Sequence, residues 1–250
     1  MAKRRTNGDA RQSVIANQLL TSLPADDFRR LQPFLEPVAL KLKRVLYKPG
    51  DVVDYVYFPG GGFVSIVTVL ANGSMVEVAT IGREGMIGVS AATAGYRESA
   101  LTLVQMETER CVRVSGAAFR REMDRRGAFF DIVTSFTQAL MGTIMQSTAC
   151  NAIHSVEQRL ARWLLLAHDR VGADRFPLTQ EFVAMMLGAA RPTVTIVAGT
   201  LQRAGLITYT RGQVVIVDRE RLEQASCECY GVTTALLDRI PARAPARRRA

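Results

Sequence analysis

The chain has 250 residues, 48% of them hydrophobic, which supports folded cores and excludes wholesale disorder. A formal net charge of +9 and a pI near 9.9 point to an anionic partner: nucleic acid, a membrane surface or an acidic ligand. No continuous apolar run is long enough to predict a transmembrane helix, and no apolar core follows the basic first residues as in a secretory signal, so a cytoplasmic protein is expected. Cys111, Cys150, Cys227 and Cys229 are too few and too scattered for a disulfide scaffold, and reduced thiols are expected.

Residues 1–13 are polar and charged and read as a mobile tail. Residues 14–20 and 25–35 read as short amphipathic helices, the second with Asp26 and Asp27 in its first turn, where the helix dipole favours acids. From residue 39 to 114 the pattern changes to short strands. Lys48-Pro49-Gly50-Asp51 is a turn, residues 52–58 a strand rich in Val and Tyr, and Pro59-Gly60-Gly61-Gly62 a breaker. Residues 63–70 and 75–81 read as strands joined by an Asn72-Gly73 hairpin turn. Residues 82–88 turn again, and 101–107 and 111–114 read as closing strands. Strands this short, separated by Gly and Pro turns, predict a jelly roll or small barrel, and residues 14–125 are expected to form one domain.

From about residue 127 the period becomes helical. Val133, Phe136 and Leu140 form an apolar seam continued by Thr143, Ser147 and Cys150, with Met141, Ile144 and Met145 beside it. A long helix over 126–153 is expected, with Val133, Phe136, Leu140 and Ile144 at a homodimer interface; an ordinary core helix is the alternative. Another helix, 156–169, places Leu160, Trp163, Leu164 and Ala167 on one face.

Residues 178–217 carry the most specific pattern, and a DNA-binding domain is expected over 154–218. Thr179 caps a helix with Gln180 and Glu181 in its first turn, Gly188-Ala189-Ala190 makes a tight turn, and a second helix runs over 191–204. Gly205 ends that helix, and strands at 206–210 and 213–217 flank Arg211-Gly212. Two helices around a small-residue turn followed by a hairpin describe a winged helix-turn-helix. Burying Val194, Val197 and Leu201 turns Pro192, Thr195, Ile196, Gly199 and Arg203 outward. Arg191 is expected to bond guanine, Thr195 to meet a base edge or a thymine methyl, and Pro192 and Ile196 to make apolar contacts in the major groove. Thr179, Thr193, Gln202, Arg203 and Arg211 are expected at phosphates, which set register without reading sequence.

On these stretches the chain resembles the Crp/Fnr family of bacterial transcription regulators. The resemblance rests on Val45-Leu46-Tyr47-Lys48-Pro49-Gly50-Asp51, Ala71-Asn72-Gly73-Ser74, Ile81-Gly82-Arg83-Glu84-Gly85-Met86-Ile87-Gly88, Val156-Glu157-Gln158-Arg159-Leu160-Ala161-Arg162-Trp163-Leu164 and residues 178–217. It implies an α+β fold: a cyclic-nucleotide-binding-like β jelly roll, a long dimerisation helix and a C-terminal winged helix-turn-helix. It implies a homodimer on a near-palindromic site, with double-stranded DNA and, for an activator, RNA polymerase as partners.

Several positions depart from the family pattern. Members that bind cyclic AMP carry Gly-Glu and then Arg-Ser-Ala in a phosphate cassette. Here Gly88 is followed by Val89, and the later stretch reads Arg97-Glu98-Ser99-Ala100, which sets Glu98 at the arginine position. One residue of slip in a strand points a side chain to the opposite face, and a carboxylate repels a phosphate. The effector pocket, assigned to Gly88, Val89, Arg97, Ser99 and Ser147, is therefore not expected to take cyclic AMP in the ordinary way. Iron–sulfur members need cysteines near the N-terminus, and none precedes Cys111. The histidines, His154 and His168, give no haem signature. Pro192 and Ile196 replace the glutamate and second arginine of the cyclic-AMP-responsive branch, so a different DNA site is expected.

Residues 219–250 extend beyond the family pattern. Asp218 is expected to cap a helix through Ser226. Cys227 and Cys229, at i and i+2, would not share a helix face, and inert thiols with no metal are expected there. Arg243, Arg247, Arg248 and Arg249 read as a disordered basic tail. With no nucleophile–base arrangement, metal motif or P-loop, neither an enzyme nor a resident cofactor is expected. The expected function is a sequence-specific transcription regulator. A nucleotide response through the altered cassette, and an interaction module whose helix-turn-helix leaves DNA unbound, are the alternatives.

Overall fold

The computed structural model describes residues 15–92 and 97–240, so the expected N-terminal tail and the basic C-terminal segment lie outside the described residues. The chain forms two compact units. Among the described residues, 15–64, 81–92, 97–140 and 237–240 form one; 65–80 and 141–236 form the other.

In the first unit, α1 (Gln18–Thr21) is capped by Asn17, whose side chain accepts from the Leu20 N–H and donates to the Pro59 and Gly85 carbonyls, at 2.8 Å each. The helix α2 (Ala25–Leu31) stops short of the expected residue 35. Pro33 has no N–H to extend the ladder, and Gln32–Phe34 close as a 3-10 turn instead. Strands follow as β1 (Glu36–Leu40), β2 (Val45–Tyr47), β3 (Tyr55–Pro59), β4 (Phe63–Val69), β5 (Met75–Ile81), β6 (Leu101–Met106) and β7 (Thr108–Ser115). One antiparallel sheet has the order β1-β7-β3, which leaves β1, with Pro37, at an edge where a missing N–H is tolerated. Strand β2 pairs antiparallel with β6. The helix α3 (Gly116–Asp124) is capped by Ser115, and its Phe119 meets Phe129 edge to face at 5.4 Å. Phe28, Phe58, Phe119, Phe136 and Met86 are fully enclosed and form the centre of this unit.

The long helix α4 (Ala128–Ile153) starts in the first unit and ends in the second. By length and composition it could cross a membrane, and 44% of its most apolar window is buried inside the chain. The expected dimer seam is a correction. Val133, Phe136 and Leu140 are 2%, 1% and 8% exposed, and Ile144 is half-buried, so the first three face the chain's own interior. A Cβ on Gly85 would lie 2.3 Å from the Phe136 ring. Helical periodicity finds an apolar face, but it does not say whose atoms cover it. The side chains left uncovered are Met141, Met145 and Ile153, at 61%, 67% and 80% exposure.

In the second unit, the Leu70 N–H donates to the Ser74 carbonyl and the Gly73 N–H to the Leu70 carbonyl, closing the β4–β5 hairpin at the expected Asn72-Gly73 turn. Helix α5 (Val156–Val171) opens with a Ser155–Gln158 capping box and ends at Gly172 in the left-handed conformation. Then come β8 (Arg175–Pro177), α6 (Gln180–Leu187), α7 (Arg191–Arg203), β9 (Ile207–Thr210), β10 (Gln213–Ile216), α8 (Arg219–Ala225) and α9 (Cys229–Asp238). Residues 65–80 join the helical unit. Glu77 accepts from Trp163, the Thr80 carbonyl accepts from Arg170, and Val76 lies against Gly188. These ties join segments far apart in sequence, so strand periodicity carries no trace of them.

Candidate nucleic-acid interface

Helices α6 and α7 meet at 106°, within the range of a helix-turn-helix. The Thr179 side chain accepts from the Phe182 N–H at 3.3 Å and caps α6. Gly188 adopts a φ of +57° and ends it. Its N–H and that of Ala189 then bond back to Met185 and Ala184, which makes the tight turn. Val194, Ala198 and Leu201 anchor α7 in the interior, while Val197, expected there, is half-buried.

The opposite face of α7 is open. Arg191, Pro192, Thr193 and Thr195 are exposed, and Ile196 is 68% exposed, an apolar side chain facing outward. The Thr195 hydroxyl lies 2.9 Å from Gln180 Oε1 and 3.1 Å from the Arg191 carbonyl, so Gln180 of α6 orients it. Sequence reading placed Gln180 in the first turn of the helix and missed this. Further along, Arg203 donates to Thr200 Oγ1 at 3.1 Å and lies across Gly199, where a Cβ would sit 3.3 Å from its guanidinium. The close approach at Gly199 comes from this side chain.

Gln202 has a structural task besides the phosphate contact expected of it. Its side-chain Oε1 accepts from the Tyr209 N–H at 2.7 Å and ties α7 to the wing. The wing is the β9–β10 hairpin. Arg211 and Gly212 have φ of +50° and +74°, the left-handed pair that a tight two-residue turn needs. Arg211 is therefore exposed at the wing tip. Strand β8, a stretch to which the sequence reading assigned no element, completes a β8-β10-β9 sheet through Phe176, buried between exposed Arg175 and Pro177. Tyr209 donates to the Leu178 carbonyl at 2.9 Å, and burial pushes its hydroxyl up to about 12.

The expected effector residues occupy the turn at 88–92, the stretch 97–99 and helix α4. Gly88, with φ of +88°, accommodates the Tyr55 carbonyl and Val53, each 2.9 Å from where a Cβ would lie. Val89 opens a 3-10 turn over Val89–Ala92. Arg97 donates to the Gly50 carbonyl at 2.8 Å on the exposed surface, and Ser99 is exposed. The Glu98 carboxylate accepts from the Ser90 hydroxyl, so the cassette turn faces an acid. Ser147 is buried on the part of α4 that belongs to the second unit.

The cysteines of the extension also differ from expectation. Cys227 lies in the break between α8 and α9, and Cys229 is the first residue of α9, so helix-face geometry does not separate them. Their sulfurs, with Cys150 Sγ and a His154 nitrogen, lie within 4.8 Å of one another.

Comparison with known proteins agrees with this architecture. Residues 37–126 match the cyclic nucleotide-binding domain, and residues 158–225 match the Crp-like helix-turn-helix domain. The global nitrogen regulator of Synechocystis sp. is 24% identical over 217 residues, 79% of this chain and 92% of that protein. FixK2 from Bradyrhizobium japonicum superimposes with a TM-score of 0.66 at 16% identity, over 77% of this chain and 98% of that one. A transcriptional regulator of the CRP family from Thermus thermophilus gives 0.62 at 20% identity, over 76% and 96%. With a cyclic nucleotide-binding domain followed by a Crp-like helix-turn-helix domain, the chain is a transcription regulator of the Crp/Fnr type with a DNA-binding helix-turn-helix.

Proposed function

We propose that the protein is a homodimeric, cytoplasmic regulator that reads the major groove with the N-terminal half of α7 and answers to an effector other than cyclic AMP. The observation that carries this reading is the open face of Arg191, Pro192, Thr195 and Ile196 over an anchored Val194, Ala198 and Leu201. The major groove admits one helix, and guanine offers two acceptors that match an arginine fork. In this pose Arg191 bonds guanine, Pro192 and Ile196 meet apolar base edges, and Thr195 is held in place by Gln180. Thr179, Thr193, Arg203 and Arg211, with the free amide of Gln202, face phosphates.

Dimerisation uses the exposed stripe of α4, Met141, Met145 and Ile153, in place of the buried seam above it in the helix. A dimer places two α7 helices on half-sites about one helical turn apart. RNA polymerase is the further partner wherever the regulator activates.

Selection of bound sequences from a random duplex library at physiological salt tests the reading. A near-palindromic motif, lost on Arg191→Ala, is expected. No enrichment from the free chain or with added candidate nucleotides would overturn it.

A further inference from the structure

Four potential metal ligands meet where the C-terminal extension reaches the end of α4. Cys150 belongs to the last turn of α4, and the His154 N–H still donates to the Cys150 carbonyl at 3.0 Å, so one helical turn stacks the two side chains. Cys227 and Cys229 arrive from the α8–α9 break, 77 residues further on from Cys150 to Cys227. All three cysteines are buried and free, and His154 is half-buried. Cys150 Sγ and Cys227 Sγ are 3.5 Å apart, and Cys229 Sγ and His154 Nδ1 are 3.5 Å apart. Around a tetrahedral zinc ion, bonds of about 2.3 Å to sulfur and 2.0–2.1 Å to nitrogen separate ligand atoms by roughly 3.5–3.8 Å. The spacing fits one ion. An iron–sulfur cluster, with several irons between its thiolates, needs ligands further apart.

The surroundings match a metal site better than a thiol cluster that packs as apolar groups. His154 Nε2 lies 3.3 Å from Glu228 Oε1, which fixes the proton on Nε2 and turns the Nδ1 lone pair toward the sulfurs. Gln146 donates to Cys229 Sγ at 3.0 Å, and the Cys229 backbone N–H donates to the Cys227 sulfur. Arg162, itself buried, acts electrostatically on Cys150, and its charge offsets the single net negative charge of three thiolates around a dication.

We propose that Cys150, His154, Cys227 and Cys229 bind one structural zinc ion, which clips the C-terminal extension to the end of the long helix. The ion enters as three thiol protons leave, and no oxidant or reductant takes part. Four protein ligands leave no open position, so the site is structural. Leu236 of α9 lies over Gly142, where a Cβ would come within 3.1 Å of it, and so continues the same seam along α4.

The full-length chain, purified reduced and without chelator, is expected to carry about one zinc per chain by elemental analysis. Cobalt replacing zinc is expected to give the thiolate charge-transfer band and intense visible absorption of a tetrahedral sulfur-rich site. Blocking the thiols with a mercurial is expected to release the zinc. His154→Ala and Cys227→Ser are expected to lose it, whereas Cys111→Ser, at a residue of β7, keeps it. Substitutions at buried thiols can unfold the chain, so Glu228→Gln supplies the decisive variant. Its side chain is 72% exposed, and losing the carboxylate is expected to weaken zinc binding about 10–100-fold against a competing chelator, with helical content unchanged. A folded, reduced chain that holds no zinc and gives no cobalt band overturns the proposal. So does zinc content that survives His154→Ala and Cys227→Ser together. These readouts are independent of DNA binding.

Discussion

Trp163 Nε1 donates a 2.9 Å hydrogen bond to Glu77 Oε1, linking helix α5 to strand β5. The Ser65 hydroxyl donates to the other carboxyl oxygen, and the Trp163 ring meets Phe182 of α6 edge to face at 6.0 Å. One indole thus joins the β4–β5 hairpin to the first helix of the helix-turn-helix.

Burial pushes the Glu77 carboxyl from 4.5 up to about 7, against the opposing pull of the bonds from Ser65 and Trp163 and of Arg162 and Arg170. Between those two values the folded chain holds a proton that the unfolded chain has released. Stability therefore falls as pH rises from about 4.5 to 7, by roughly 1–3 kcal/mol from this group. Glu77→Gln keeps the hydrogen bonds and is expected to remove this slope. Thermal unfolding of both chains across that pH range checks it; equal slopes would refute the assignment.

Trp163→Phe removes the donor and leaves the Glu77 carboxyl one bond short. A destabilisation of about 1–3 kcal/mol is expected in urea unfolding. The loss should shrink in the Glu77→Gln background, because the two side chains act as one unit.

The two arginines of the interface should differ in kind. Arg191→Ala is expected to cost about 1–3 kcal/mol on the selected site and to relax one base position. Arg211→Asn suits the left-handed turn conformation and removes only the charge. It is expected to weaken binding about equally on all duplexes and to lower the salt slope by about one. Affinities measured across a salt series separate the two.

The long helix offers a matched pair. Phe136→Ala opens a cavity in the interior and is expected to cost about 3–5 kcal/mol of stability. Met145→Glu alters an exposed side chain and is expected to weaken the dimer while each chain stays folded. Light scattering and circular dichroism on both variants distinguish the effects; an intact Met145→Glu dimer would move the interface elsewhere.

Cyclic AMP is expected to leave the thermal midpoint unchanged, since a ligand raises it only by binding the folded state. Arg97 is engaged with the Gly50 carbonyl on the exposed surface, and the Glu98 carboxylate beside Ser90 would repel a cyclic phosphate. A saturable rise in the midpoint would show that the loop rearranges around the ligand.

Local signals made much of this protein legible from sequence. Thr179, Gly188, Gly205 and Arg211-Gly212 act on their own backbone within a few residues, so capping and turn chemistry located the helix-turn-helix and its wing. The Val89 and Glu98 departures were equally plain, because they are identities at single positions.

Three features waited for the tertiary structure. Phe136 and Met145 both belong to apolar stripes of one helix, and only packing decides that the first is covered by its own chain and the second is not. Glu77 and Trp163 stand 86 residues apart, and no periodicity links a strand carboxyl to a helix indole. Cys150 and His154 share one helical turn, but Cys227 and Cys229 join them only because α8 breaks before α9 begins. Sequence determined the elements and the DNA-binding motif, since these depend on neighbours a few bonds away. The covered faces and the four-ligand cluster depend on which distant segments the fold brings into contact.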